Sequence, residues 1–112
     1  MDSLFTKIIN GEIKSDKVYE DDLCIAIHDV NPQAPIHVLI IPKEPVAMLK
    51  DLTERHKSLM GHLMHVTTLI ADQLDTSDNY RVVINNGPDA GQSVYHIHIH
   101  LLAGRGLSWP PG

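Results

Sequence analysis

The chain has 112 residues, nine Lys and Arg against fourteen Asp and Glu, and a formal net charge of −5. That length bounds the fold to a single domain over residues 1–112, and the acidic balance speaks against a polyanion partner, because nucleic-acid-binding domains are usually basic with clustered Lys or Arg. A single nucleotide phosphate, which needs only local donors, stays open.

Leu4 to Ile9 (LFTKII) places apolar residues at 4, 5, 8 and 9, the spacing of a short helix. Lys17 to Glu20 and Leu23 to Asp29 read as strands of a hairpin around Asp21-Asp22. Cys24, the one cysteine, excludes an intrachain disulfide and reads as a small core residue. Asn31 to Pro35 is a proline-containing turn, and Val38 to Ile41 a fully apolar strand ended by Pro42. Asp51 followed by Glu54 resembles a helix cap, as does Thr53. From there a long helix is expected to run to about Leu74, its inner face formed by Leu59, Met60, Leu63, Met64, Ile70 and Leu74, with His56, His62 and His65 solvated or at the edge of that face. Thr76 to Asn79 is a loop, and two strands complete the chain. The sum is an α+β arrangement, an antiparallel sheet with one long and one short helix against it. No secretory leader or membrane-length apolar stretch is visible, so the expected location is cytoplasmic.

Residues 96–100 read His-Ile-His-Ile-His, followed by Leu101 and Leu102. On a strand the period of two would set His96, His98 and His100 on one face and the apolar residues on the other. Three imidazoles so placed are costly without partners or work, and they point to a site. A metal is one reading of them, because imidazole is a common ligand. At about 3.3 Å per residue, however, His96 and His100 sit about 13 Å apart on a regular strand, so all three cannot share a zinc without a bend. A His-x-His pair would need His37 or Asp29 from elsewhere. Just upstream, Asn85-Asn86-Gly87-Pro88-Asp89-Ala90-Gly91-Gln92-Ser93 is a loop between two strands of a hairpin-like pair. Backbone N–H groups at Gly91 to Ser93, a serine hydroxyl and amide side chains are neutral anion binders. Beside imidazoles they suit phosphate, with donors holding the oxygens while a neutral ring attacks phosphorus.

Gly91-Gln92-Ser93-Val94-Tyr95-His96-Ile97-His98-Ile99-His100-Leu101-Leu102 closely resembles the signature of the histidine-triad (HIT) family, His-φ-His-φ-His-φ-φ with φ apolar. Phe5 to Ile9, Tyr19 to Asp22, His28 to Lys43 and the ending Trp109-Pro110-Pro111-Gly112 resemble its Hint branch, so the likeness covers nearly the whole chain from Leu4. That ending differs from the family's dinucleoside-polyphosphate hydrolases, and the proline that the galactose-1-phosphate uridylyltransferase branch carries between its histidines is absent.

The resemblance implies a purine nucleoside 5′-phosphoramidate hydrolase working without a metal or other cofactor. His98 would be the nucleophile, His100 the holder of a phosphoryl oxygen, and His96 and His37 a supporting relay behind His98. Ser93 would help protonate the departing amine, and Asn85, Gly91 and Gln92 would complete the phosphate cradle. Asp29 would receive the ribose hydroxyls, and Leu4, Phe5, Ile8, Ile13, Ile27, His28 and Val30 would wall the purine. Ala90 stands where the branch often has glycine, which is tolerable only if its φ is negative. A homodimer is also implied, with Trp109 shaping the leaving-group side of the partner's site. Two other classes remain at this point: a nucleotide-binding regulatory module with incidental hydrolysis, and a metal-dependent hydrolase.

Overall fold

The computed structural model describes residues 3–112. Helix α1 spans Leu4–Ile9, and Ser3 caps it by accepting the Thr6 N–H on its hydroxyl at 3.2 Å. Strands β1 (Lys17–Glu20), β2 (Cys24–His28) and β3 (Ile36–Pro42) follow, then helix α2 (Lys57–Gln73), β4 (Tyr80–Val83) and β5 (Ile99–Ala103). Single 3₁₀ turns occupy Leu49–Asp51, Glu54–His56 and Pro88–Ala90. The sheet order is β1-β2-β3-β5-β4 with every neighbouring pair antiparallel. This is the expected α+β arrangement. The closing strands are neighbours as expected, but fifteen-odd residues of loop separate them, about three times a tight hairpin connection.

Alternation along the strands sorts the core into two layers. Cys24, Ala26, Val38, Ile40, Ile99 and Leu101 point to α2 and pack with Leu63, Val66, Ile70 and Ala71. The alternate residues Ile25, Ile27, Leu39 and Ile41 point the other way and pack with Phe5 and Ile8 of α1. Both β2 and β3 are therefore apolar on two faces, which explains why their sequence shows near-continuous Ile, Val and Leu without a polar alternation.

The inner face of α2 differs from the expectation in detail. Val66, Thr67 and Ala71 belong to it, whereas Met64 is 43% exposed. Thr67 is buried because its hydroxyl donates back to the Leu63 carbonyl at 2.8 Å and so needs no water. His56 is not solvated but buried: its Nδ1 accepts the Thr53 N–H at 2.9 Å and its Nε2 faces Glu44 at 2.9 Å. It closes the turn that starts α2, where an acidic residue was expected to do so. His62 is half-buried and bonded to Asp21 at 2.6 Å, tying α2 to the β1–β2 hairpin.

Candidate active site

Register explains how residues far apart in sequence meet on the α1 face. His100 stands opposite Leu39 on β3 and Val83 on β4, while His37 pairs with Leu102. His37, Leu39 and His100 thus share the layer that α1 covers. The expected row of three histidines on one strand is only partly formed, because β5 begins at Ile99 and residues 94–96 form a bend. His98 and His100 keep neighbouring positions, with ring centroids 4.8 Å apart. His96 turns away into the core, where the Ile97 N–H donates to the Val46 carbonyl at 2.7 Å instead of to a strand. Phe5 meets both rings edge-on, at 4.9 Å from His98 and 6.0 Å from His96.

Backbone groups fix the proton on each ring. The His98 Nδ1 lies 2.8 Å from the His96 carbonyl, which can only accept, so Nδ1 carries the hydrogen and Nε2 keeps its lone pair. His96 Nε2 donates to the Pro42 carbonyl at 2.7 Å, leaving its Nδ1 to accept from the hydroxyls of Ser3 and Thr6 at 3.3 and 3.4 Å. On His37 the direction reverses: the Gln33 backbone N–H donates to Nδ1 at 3.0 Å, so the hydrogen sits on Nε2. That Nε2 donates to His100 Nδ1 at 2.9 Å, and His100 in turn carries its hydrogen on Nε2. The result is a bare nitrogen on His98 beside an N–H donor on His100.

Burial keeps these rings neutral. It is the largest cause that lowers the pKa of His37, His96 and His98 below the ordinary histidine value, although Asp29 opposes it at His37 and His98. Burial, then the neighbouring His98 and His37, lowers His100 to about 4.

The expected relay is corrected by this geometry. His37 bonds to His100 and not to His98, and His96 meets His98 through its carbonyl while its ring anchors α1. The phosphate loop is corrected as well. The N–H groups of Gly91 and Gln92 are spent on the carbonyls of Pro88 and Gly87, at 3.1 and 3.0 Å. The Gln92 side chain is buried and accepts from the Gly87 N–H at 2.8 Å while donating to the carbonyls of Ala47 and Val94 at 2.8 and 3.1 Å. Gln92 thus braces the loop, with its amide and its N–H both engaged within the protein. Ser93 is exposed, and among the described residues its N–H and hydroxyl have no hydrogen-bond partner. Asn85 lies against Gly91, whose φ is +97°; a Cβ there would meet the Asn85 amide at 3.4 Å. Ala90 keeps a negative φ within its 3₁₀ turn, so its methyl is accommodated.

Of the expected nucleoside residues, Phe5, Ile8 and Ile27 are sealed in the core beneath the histidines and form its floor. Leu4 at 49%, Ile13 at 38%, Val30 at 98% and His28 are exposed, and Trp109 is 80% exposed on the C-terminal tail. The Asp29 carboxylate uses one oxygen to accept the Asn31 N–H at 2.8 Å, and its other oxygen lies 3.4 Å from His37 Nε2. Asp29, His37 and His100 come close enough to suggest a metal. As arranged, however, His37 Nε2 and His100 Nδ1 face each other across a hydrogen bond, so the two nitrogens do not offer lone pairs to one point.

Residues 10–107 match the HIT domain. The chain belongs to the histidine-triad family. Over 112 residues it is 52% identical to a 14 kDa zinc-binding protein of Zea mays, covering 98% of this chain and 88% of that protein. It is 46% identical over 112 residues to the Adenylylsulfatase HINT1 of Arabidopsis thaliana, covering 98% of this chain and 76% of that one. The crystal structure of a HIT family hydrolase from Legionella pneumophila superposes with a TM-score of 0.97 at 42% identity, covering 99% and 100% of the two chains. This histidine-triad chain is of the Hint type, as the signature and the ending together led one to expect.

Three contributors to the site escaped the sequence reading. Gln33 acts through its backbone N–H, which no side-chain pattern records. Ser3 and Thr6 reach His96 across 93 and 90 residues of chain, and their only trace was a serine placed to cap α1.

Proposed function

We propose that the protein is a nucleotide hydrolase that cleaves the P–N bond of purine nucleoside 5′-phosphoramidates through a nucleotidyl-His98 intermediate. The observation that carries this reading is the bare Nε2 of His98, its Nδ1–H locked on the His96 carbonyl, beside a neutral N–H donor on His100. Nε2 attacks phosphorus, the bond to the amine breaks, and the imidazole becomes a nucleotidyl-imidazolium whose positive charge the His96 carbonyl stabilises. The His100 N–H takes up charge growing on a phosphoryl oxygen, with Ser93 and the Asn85 amide as further donors. The amine departs with a proton from the Ser93 hydroxyl, which water replaces. Water then attacks phosphorus, the P–Nε2 bond breaks, and nucleotide, a proton and neutral His98 are released. Asp29 receives the ribose hydroxyls on its carboxylate, whose oxygens have lone pairs beyond those that face Asn31 and His37.

The relative named for adenylylsulfatase activity supports adenylyl transfer from a leaving group other than phosphate. The protein is proposed to act as a homodimer, in which exposed Trp109 would cover the leaving-group side of the neighbouring site.

Hydrolysis of adenosine 5′-phosphoramidate by chelator-stripped protein, wild type beside His98→Ala, tests the reading. Turnover lost in the variant supports it. Turnover restored only by added zinc would replace it with a metal-dependent reaction, the reading favoured by the name of the maize relative.

A further inference from the structure

The chain of hydrogen bonds that sets the His100 proton does not end at Gln33. The exposed Arg105 guanidinium, just past β5, donates to the Gln33 carbonyl from Nη2 at 2.9 Å and from Nε at 3.3 Å. A third bond, from Nη1 to the Gly106 carbonyl at 2.9 Å, fixes the guanidinium itself. Gln33 sits in the Asn31–Pro35 turn, which is exposed except at Ala34 and whose other side-chain ties are the Gln33 amide on the Asn31 carbonyl at 3.0 Å and the Asn31 N–H on Asp29. From that turn the Gln33 N–H reaches His37 Nδ1, and His37 reaches His100.

We infer that Arg105 is a positioning residue for the reaction: by clamping the Gln33 carbonyl it holds the Gln33 N–H on His37 and so keeps the hydrogen of His100 on Nε2, facing the phosphoryl group.

The physical reason is that the pair of imidazoles has two arrangements of nearly equal hydrogen bonding. In one, His37 Nε2–H donates to His100 Nδ1. In the other, His100 Nδ1–H donates back to His37 Nε2, and His100 then presents a bare nitrogen to the phosphoryl oxygen. Nothing within the pair prefers the first. The Gln33 N–H does, because a hydrogen on His37 Nδ1 would face it donor to donor, and the Asp29 carboxylate oxygen 3.4 Å from His37 Nε2 adds to the same preference. A bond to a peptide N–H is only as reliable as the turn that carries it, and two hydrogen bonds from a cation to one carbonyl are stronger than neutral ones. The approach of β5 to this turn is tight: Gly104 has φ +94°, and a Cβ there would meet the Pro35 Cβ at 2.8 Å. Arg105 is thereby delivered to Gln33 by the strand that carries His100.

The test needs no substrate for its main readout, so it stands apart from the proposed phosphoramidate chemistry on which the inference rests. Long-range ¹H–¹⁵N spectra of wild type, Arg105→Met and Arg105→Lys report which nitrogen of His37 and His100 is protonated. Wild-type protein is expected to show His100 with hydrogen on Nε2 only. Arg105→Met is expected to show a mixture of both tautomers, with Arg105→Lys recovering the wild-type state in part. With adenosine 5′-phosphoramidate, kcat should fall about three- to tenfold in Arg105→Met with little change in KM, the loss of one biased donor in the transition state. An unchanged His100 tautomer in Arg105→Met overturns the inference, whatever happens to the melting temperature. So does a Lys variant no better than Met.

Discussion

Gln92→Ala separates a loop brace from a substrate ligand. In the folded protein the Gln92 side chain makes three hydrogen bonds, to the Gly87 N–H and to the carbonyls of Ala47 and Val94, and the residue is 5% exposed. At about 1 kcal/mol net per hydrogen bond, the truncation costs about 3 kcal/mol, and the buried Gly87 N–H, left without a partner, pushes the figure upward. For a domain of this size that corresponds to a fall in Tm of roughly 12 °C. Calorimetry and urea titration measure it directly. Ser93→Ala is the control, because an exposed hydroxyl without an internal partner should leave stability within about 0.5 kcal/mol while kcat/KM falls. A Gln92→Ala protein that kept wild-type stability and lost only substrate affinity would return Gln92 to the phosphate cradle and refute the brace.

Acid stability follows from the buried histidines. His37, His96, His98 and His100 all have pKa values below the ordinary histidine value near 6.5 that they regain on unfolding, so the unfolded chain binds more protons as pH falls. Stability is full above about pH 6.5 and drops below it, by up to about 1.4 kcal/mol per pH unit for each ring; His100, with a folded value of about 4, accounts for roughly 3 kcal/mol. Urea midpoints between pH 7 and 4.5 that stay level would contradict the neutral cluster. The same shift keeps His98 unprotonated at a pH where an unperturbed imidazole is charged, so the acid limb of kcat/KM should lie below pH 6.5, lower than its sequence alone leads one to expect. Gly104→Ala should cost about 2 kcal/mol or more, because its Cβ would lie 2.8 Å from Pro35 at a φ of +94°; a neutral effect in thermal melts would mean that β5 and the turn separate freely.

Much of this was legible in the sequence because it rests on periodicity. The α1 boundaries follow from apolar spacing in LFTKII, and the two-faced burial of β2 and β3 from their unbroken apolar runs. Pattern failed where local geometry overrides it. His-Ile-His-Ile-His alternates perfectly, yet the chain bends before Ile97, so His96 turns its ring inward and holds the His98 ring through its carbonyl. Met64 satisfied helical spacing but lies just off a face filled by Val66 and Thr67, the latter acceptable only because its hydroxyl bonds within the helix. Gln92 sits in a loop of phosphate-binding composition, and composition cannot say that its amide is consumed by the loop's own backbone. Tautomer control by Gln33 was invisible for the same reason, since every peptide unit carries an N–H and only the fold aims one at His37.

The role of His98 is tested most directly by intact-mass spectrometry of protein quenched in alkali within milliseconds of mixing with adenosine 5′-phosphoramidate. A transient adduct of one adenylyl group, mapped to His98 and absent in His98→Ala, is the expected result. Steady turnover with no adduct at any time, or an adduct on another residue, would contradict nucleophilic attack by His98.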